Sequence, residues 1–124
     1  MNDRRKDLLC AAVFLAAAVA LMGDVVFRGR VLYWGTAILQ FQPWHELAAD
    51  AIRAGQAPLW THALGNGAPL LANLQSAALY PPNLLYLLLP APQAMSLLML
   101  FHVALAGVFA YALARTRGMC RFLA

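Results

Sequence analysis

The sequence predicts an all-α membrane protein, with two transmembrane helices flanking a long outer loop that carries short helices of its own. Three observations lead there. The chain of 124 residues is 63% hydrophobic and only 11% charged, whereas apolar residues make up roughly half of a soluble domain. Two segments are apolar over the thickness of a bilayer. Between them lies a stretch dense in Trp, Pro, Gly, Asn and Gln, with too many helix breakers for a third span.

Leu8 to Met22 is an unbroken apolar run. Continued through Asp24 to Phe27, it gives a span over 8–27 of roughly 30 Å, enough for the hydrocarbon core. Ala94 to Ala114 holds no Asp, Glu, Lys or Arg and many long apolar side chains. In lipid its backbone must close its own hydrogen bonds as a helix, which makes 94–114 the second span. Residues 1–7, 28–93 and 115–124 are then the N-terminal tail, the loop and the C-terminal tail.

The net charge is +4, but the basic residues form three short groups with no stripe or stacking platform for nucleic acid. Their placement reads as topology. Arg4, Arg5 and Lys6 precede the first span, Arg115, Arg117 and Arg121 follow the second, and the loop holds only Arg28, Arg30 and Arg53. The positive-inside rule puts both termini in the cytoplasm and the loop outside, as in a multi-pass protein of a bacterial cytoplasmic membrane. Cys10 and Cys120 then lie near the reducing face, which argues against a structural disulfide. A cleavable signal peptide ending near Ala18 to Ala20 is the rival reading of the N-terminus; the apolar run is longer than a usual signal core.

Within the loop, Trp44, Leu47, Ala48, Ala51 and Ile52 recur at helical spacing, with His45, Glu46, Asp50 and Arg53 on the other side. A short amphipathic helix over 43–54 follows, opened by Pro43 and closed by Gly55. Its apolar side suits the membrane surface or neighbouring spans, with Trp44 at headgroup depth. Pro58, Gly65, Gly67 and Pro69 predict irregular backbone with tight turns from Gln56 to Asn73. Pro81 and Pro82 can open a further short helix over 82–89, which Pro90 and Pro92 close before the second span.

Candidate chemistry is sparse. Glu46 and Asp50 stand four apart with His45 beside them and His62 further on, types that ligate metals or exchange protons. The competing reading is a solvated face with an Asp50 to Arg53 pair. Asp24, at the outer end of the first span, suits either a functional acid or a mark of the water interface. Amides such as Gln40, Asn73, Gln75 and Asn83 can bind sugar hydroxyls or satisfy their own loop. His102, deep in the second span, reads as a packing residue, with Ala106 and Gly107 permitting close helix contact. No motif identifies a cofactor or a metal site, and a divalent metal stays open.

Several linked segments resemble the YfhO-like bacterial integral membrane proteins, which look like polytopic glycosyltransferases of the GT-C type. They are LYWGTAILQFQPW (Leu32 to Trp44), RAGQAPLW (Arg53 to Trp60), GNGAPLLANLQSAALYPPNLLYLLLP (Gly65 to Pro90) and HVALAGVFAYALAR (His102 to Arg115). The resemblance implies transfer of a sugar from a polyprenyl-phosphate carrier to a cell-envelope acceptor. Gln40, Trp44, Trp60, Asn73, Gln75 and Tyr80 would contact carrier or acceptor. Relatives carry an acid in the first outer loop where this chain has Gly35-Thr36; Thr36 cannot be an ionised base, which leaves Asp24, Glu46 and Asp50 as candidates. Such proteins have many spans, so the resemblance also implies an N-terminal fragment, inactive without further helices of the same or another chain. The alternative is a small non-enzymatic membrane protein whose helices and outer loop bind a partner.

Overall fold

The structure, a computed structural model, describes residues 3–28, 30 and 35–118. Cys120, Arg121 and the Leu32 to Trp34 part of the family-like segment lie outside the described residues. The chain is mostly helical and divides into two units: Met1–Gly29 with Met99–Ala124, and Arg30–Leu98.

The first unit is a helical pair. Helix α1 runs Asp3–Phe27 and the long C-terminal helix spans Ala91–Thr116, of which residues 99–116 belong here. Both helices are long and apolar enough to cross a membrane, over Arg5–Val25 and Ala91–Thr116 with mean hydropathy 2.3 and 2.2. Alanine, leucine and methionine propagate α1 without a proline, and Ala, Leu, Val and Phe do the same in the second. A seam joins them. Asp7, Cys10, Phe14 and Ala18 recur three or four apart on α1, and Cys10 and Ala18 are buried. The Tyr111 hydroxyl donates to Asp7 at 2.7 Å, and Arg115 pairs with the same carboxylate at 3.3 Å. One turn along, Phe14 lies so close to Gly107 that a Cβ there would fall 2.7 Å from its ring. The small-residue contact anticipated at Gly107 is therefore made, and its partner is an aromatic ring. The beginning of α1 and the end of the C-terminal helix lie at the same end of this pair.

The second unit holds the loop. Helix α2, Gln42–Arg53, buries Ala48 and Ala49 and exposes Glu46, Asp50 and Arg53. Its C-terminus closes as the sequence suggests. Gly55 is left-handed (φ 72°), its N–H reaches the Ile52 carbonyl and that of Gln56 the Ala51 carbonyl, both at 2.9 Å, a Schellman pair that satisfies two terminal acceptors. The N-terminus differs from expectation. Helical backbone is already present at Gly35, with a wide π turn over Ala37–Phe41 in which the Gln42 N–H bonds the Ala37 carbonyl. Pro43 has no N–H to offer the preceding turn and would clash with its carbonyl, and the wider turn just before it relieves that clash. Thus Pro43 lies in the first turn of α2, as expected, but with helical backbone already in place before it.

Strands β1 (Trp60–Thr61) and β2 (Ala68–Pro69) pair antiparallel, extended by a 2.9 Å bond from the Leu70 N–H to the Leu59 carbonyl. An all-α reading did not include this hairpin. It is short because Pro69 cannot donate to a ladder, and its turn depends on Gly65 and Gly67 at positive φ. A 3-10 turn follows at Leu74–Ser76 and a longer 3-10 segment at Pro81–Leu87, where a short helix over 82–89 was expected. The C-terminal helix, α3, starts at Ala91 rather than Ala94. Pro92 sits in its first turn, where a missing N–H costs nothing.

The core of this unit gathers Ala49, Tyr86, Ala91, Ala94 and Leu98, with Leu85, Leu87, Leu89 and Met95 packed around it. Small alanines on α2 and α3 admit the Tyr86 ring, which is 4% exposed. Arg53 ties the end of α2 to the end of the 3-10 segment. Its guanidinium donates to the Tyr86 carbonyl at 2.6 Å, the Leu87 carbonyl at 3.3 Å and Asp50 at 2.7 Å, capping carbonyls that a helix end leaves unpaired. The apolar side of α2, expected on the membrane or on neighbouring spans, is thus covered by the loop's own 3-10 segment together with the first turns of the second long helix.

Candidate functional site

A groove of about 660 Å³ opens in the loop unit between the helical stretch that leads into α2 and the chain from the hairpin to Asn73. Thr36, Leu39, Gln40 and Trp44 line one wall, Leu70 and Asn73 the other. Thr36, Gln40 and Trp44 are successive four-residue steps along one helical face. Phe41 meets the Trp44 ring edge-on at 5.9 Å between centroids and holds it in place. On the opposite wall the Asn73 side chain accepts from the Gln75 N–H at 3.1 Å, which caps the 3-10 turn. Gln75 in turn accepts from Gln40 Nε2 at 2.9 Å, joining the two walls. Four of the six expected contact residues, Gln40, Trp44, Asn73 and Gln75, thus come together. Trp60 and Tyr80 do not line this groove: the Trp60 indole lies over Gly67, and Tyr80 stands just before the 3-10 segment.

Among the described residues, none lining the groove is ionisable. The candidate acids are elsewhere. Glu46 and Asp50 border a smaller groove of about 250 Å³ with Arg53, Tyr86, Leu89 and Pro90. Glu46 accepts from Gln42 at 3.0 Å, and Asp50 is held by Arg53. Asp24 belongs to the helical-pair unit and pairs with Arg28 at 3.0 Å. The loop amides follow the same pattern, since Asn83 Nδ2 donates to the Ala77 carbonyl at 2.8 Å. Among the described residues no three of His, Cys, Asp and Glu gather as a metal ion would require.

His45 was expected on the polar side of α2 and instead faces inward. Its ring stacks on Tyr86 at 4.3 Å with 14° between planes, and it bonds the Ser76 backbone carbonyl. Burial lowers its pKa, and the Ser76 contact opposes that only in part. The same burial pushes the Tyr86 hydroxyl up to about 12. Ser76, fully buried, shares its hydroxyl hydrogen between the Leu70 carbonyl at 2.6 Å and the Asn73 carbonyl at 2.8 Å. This polar cluster supports the second wall from behind. One signal for it was present: His45, Ala48, Ala49 and Ile52 share the spacing of a buried face, so His45 belongs with the apolar residues.

Comparisons with known proteins return no matching family model, no matching curated protein and no matching solved structure.

Proposed function

We propose that the chain is part of a membrane-embedded, GT-C-like glycosyltransferase of the YfhO-like kind, in which this groove forms one wall of the site for a polyprenyl-phosphate-linked sugar. The single observation carrying the reading is the convergence of Trp44, Gln40 and Asn73 from separate elements onto one open groove, with Gln75 bonded to Gln40 beside it. An aromatic face offers a flat apolar surface to a pyranose ring. Amides donate to and accept from hydroxyls without a charge to desolvate. The absence of an ionisable lining residue among those described assigns the groove to binding; the acid and the remaining walls come from elsewhere in the assembled protein.

The length and apolar surface of both long helices support the same reading. Of their most apolar windows, 11% is buried in α1 and none in α3, and a helix apolar all round needs either a protein core or lipid to cover it. The Asp7 seam puts Arg5, Lys6, Arg115 and Arg117 at one end of the pair, which the positive-inside rule places in the cytoplasm. That seam also uses residues a signal peptidase would remove, which favours a retained span over a signal peptide.

The test is binding. In vesicles carrying a photoactivatable polyprenyl-phosphate sugar, crosslinks are expected in the peptide holding Gln40 and Trp44, with affinity up to about tenfold weaker in Trp44→Ala, as the loss of one aromatic contact implies. Equal labelling by the carrier without its sugar would refute the assignment. A second reading, a non-enzymatic protein binding a partner through its loop, is favoured by the local engagement of Asp24, Glu46 and Asp50. Substituting these acids singly in a longer relative and assaying glycosylated envelope polymer separates the two.

A further inference from the structure

We propose that the loop unit rests in the lipid headgroup layer on an apolar surface of its 3-10 region, with Leu79, Tyr80, Leu84 and Leu88 in contact with lipid. These residues stand out for what they expose: Leu79 is 82% exposed, Leu84 58% and Leu88 80%, while Tyr86 between them is buried against α2. A soluble surface solvates such leucines with charged neighbours. The segment has none of its own, because from Ala54 to Ala114 the chain contains no Asp, Glu, Lys or Arg, and the Arg53 guanidinium beside Leu87 is taken up by the Tyr86 and Leu87 carbonyls and by Asp50. The ionised residues of the unit end in sequence at Arg53, so the exposed leucines all come from a stretch without charge of its own.

Chain connection argues for lipid as the occupant. Leu88 stands three residues before Ala91, where the helix apolar enough to cross a membrane begins. Three residues reach about 10 Å at full extension, comparable with the headgroup layer that lies between the hydrocarbon edge and water. The 3-10 segment of Pro81–Leu87 is therefore tethered at the boundary. Tyr80, amphipathic and 41% exposed, has the chemistry of the aromatic belt found at that depth. With the apolar side of α2 already covered, it is this region and not α2 that meets the membrane surface. The inference rests on the reading that α3 spans the bilayer.

The experiment keeps the two claims apart. The full chain, with Cys10 and Cys120 replaced by serine, is reconstituted in phosphatidylcholine and phosphatidylglycerol vesicles with a nitroxide on one new cysteine: Leu79→Cys, Leu84→Cys, Leu88→Cys, Gln56→Cys or Phe109→Cys. Oxygen should collide with the labels at 79, 84 and 88 more often than a water-soluble nickel chelate does, with the reverse at 56. Labels at 84 and 88 favouring the chelate would overturn the inference. So would labels shielded from both reagents, which would mean that protein, from a second copy or another chain, covers the surface. Phe109, exposed on α3, reports on the span itself. Chelate access there refutes the spanning reading, whereas lipid access at 109 with water at 84 refutes only the headgroup contact.

Discussion

Replacing Arg53 with methionine keeps its aliphatic stem and removes the fork that holds α2 to the end of the 3-10 segment. The contacts are unequal. The bond to the Tyr86 carbonyl is 2.6 Å and half-buried, so its loss falls in the range of about 1.5–3 kcal/mol for a charge-assisted hydrogen bond. The contact with the Leu87 carbonyl is longer, 3.3 Å, and exposed, and adds little. The pair with Asp50 is short but solvated on both sides and is worth about 0.2–1 kcal/mol. The sum is about 2 kcal/mol, nearly all of it from Tyr86, equivalent to roughly thirtyfold in an opening equilibrium. Hydrogen exchange of the reconstituted chain reads this directly: amides from Asn83 to Leu89 should exchange about that much faster in Arg53→Met, and hardly faster in Asp50→Asn. Unchanged exchange in the first variant, or an equal effect in the second, would show that the guanidinium does not cap these carbonyls.

His45 makes the loop unit sensitive to acid. Its folded pKa is lowered, so the unfolded state binds the proton more readily; stability is full above the unfolded value near 6.5 and falls as pH drops below it. Exchange protection of Asn73 to Leu87, corrected for intrinsic rate, should fall from about pH 7 to about pH 5 and do so less in His45→Phe; an identical fall in that variant would clear His45 of the effect. In the helical pair, Gly107→Ala forces a methyl against Phe14 and should weaken the pair by about 1–3 kcal/mol, with Phe14→Leu restoring much of it; crosslinking of cysteines along the two helices measures both. Gly67→Ala combines a φ of +99° with a Cβ 2.7 Å from the Trp60 indole, so Trp60 emission should shift and binding in the groove should fall; unchanged emission would contradict the packing.

Long-range periodicity was legible, and local backbone detail was not. The two long apolar helices follow from composition alone, and α2 with its Gly55 cap from apolar spacing plus one residue tolerant of positive φ. The hairpin escaped because strands of two residues carry no period, and its turn glycines are equally at home in irregular loop. Pro81 and Pro82 mark a start in any helix type, so they could not distinguish 3-10 from α geometry. For the groove, amides and tryptophans stood out by residue type, but nothing local joins Gln40 to Gln75. His45 was assigned by its polarity, although Tyr86, more than forty positions away in sequence, decides its surroundings. In the same way Asp7 looked like part of a charged tail, and only a folded pair sets it beside Tyr111 and Arg115.

The π turn at Ala37–Phe41 leaves the chain with an unusual sensitivity to its own length. Each residue advances an α-helix by about 100°, so a wide turn is in effect one inserted residue. Deleting a single codon between Ala37 and Phe41 would leave Thr36 and Trp44 seven α-helical steps apart and still in line, but it would bring regular α-helix up to Pro43 and with it the clash that the wide turn relieves. A deletion that an exposed loop would absorb unnoticed would here strain one wall of the groove at Pro43 without altering any residue of the other.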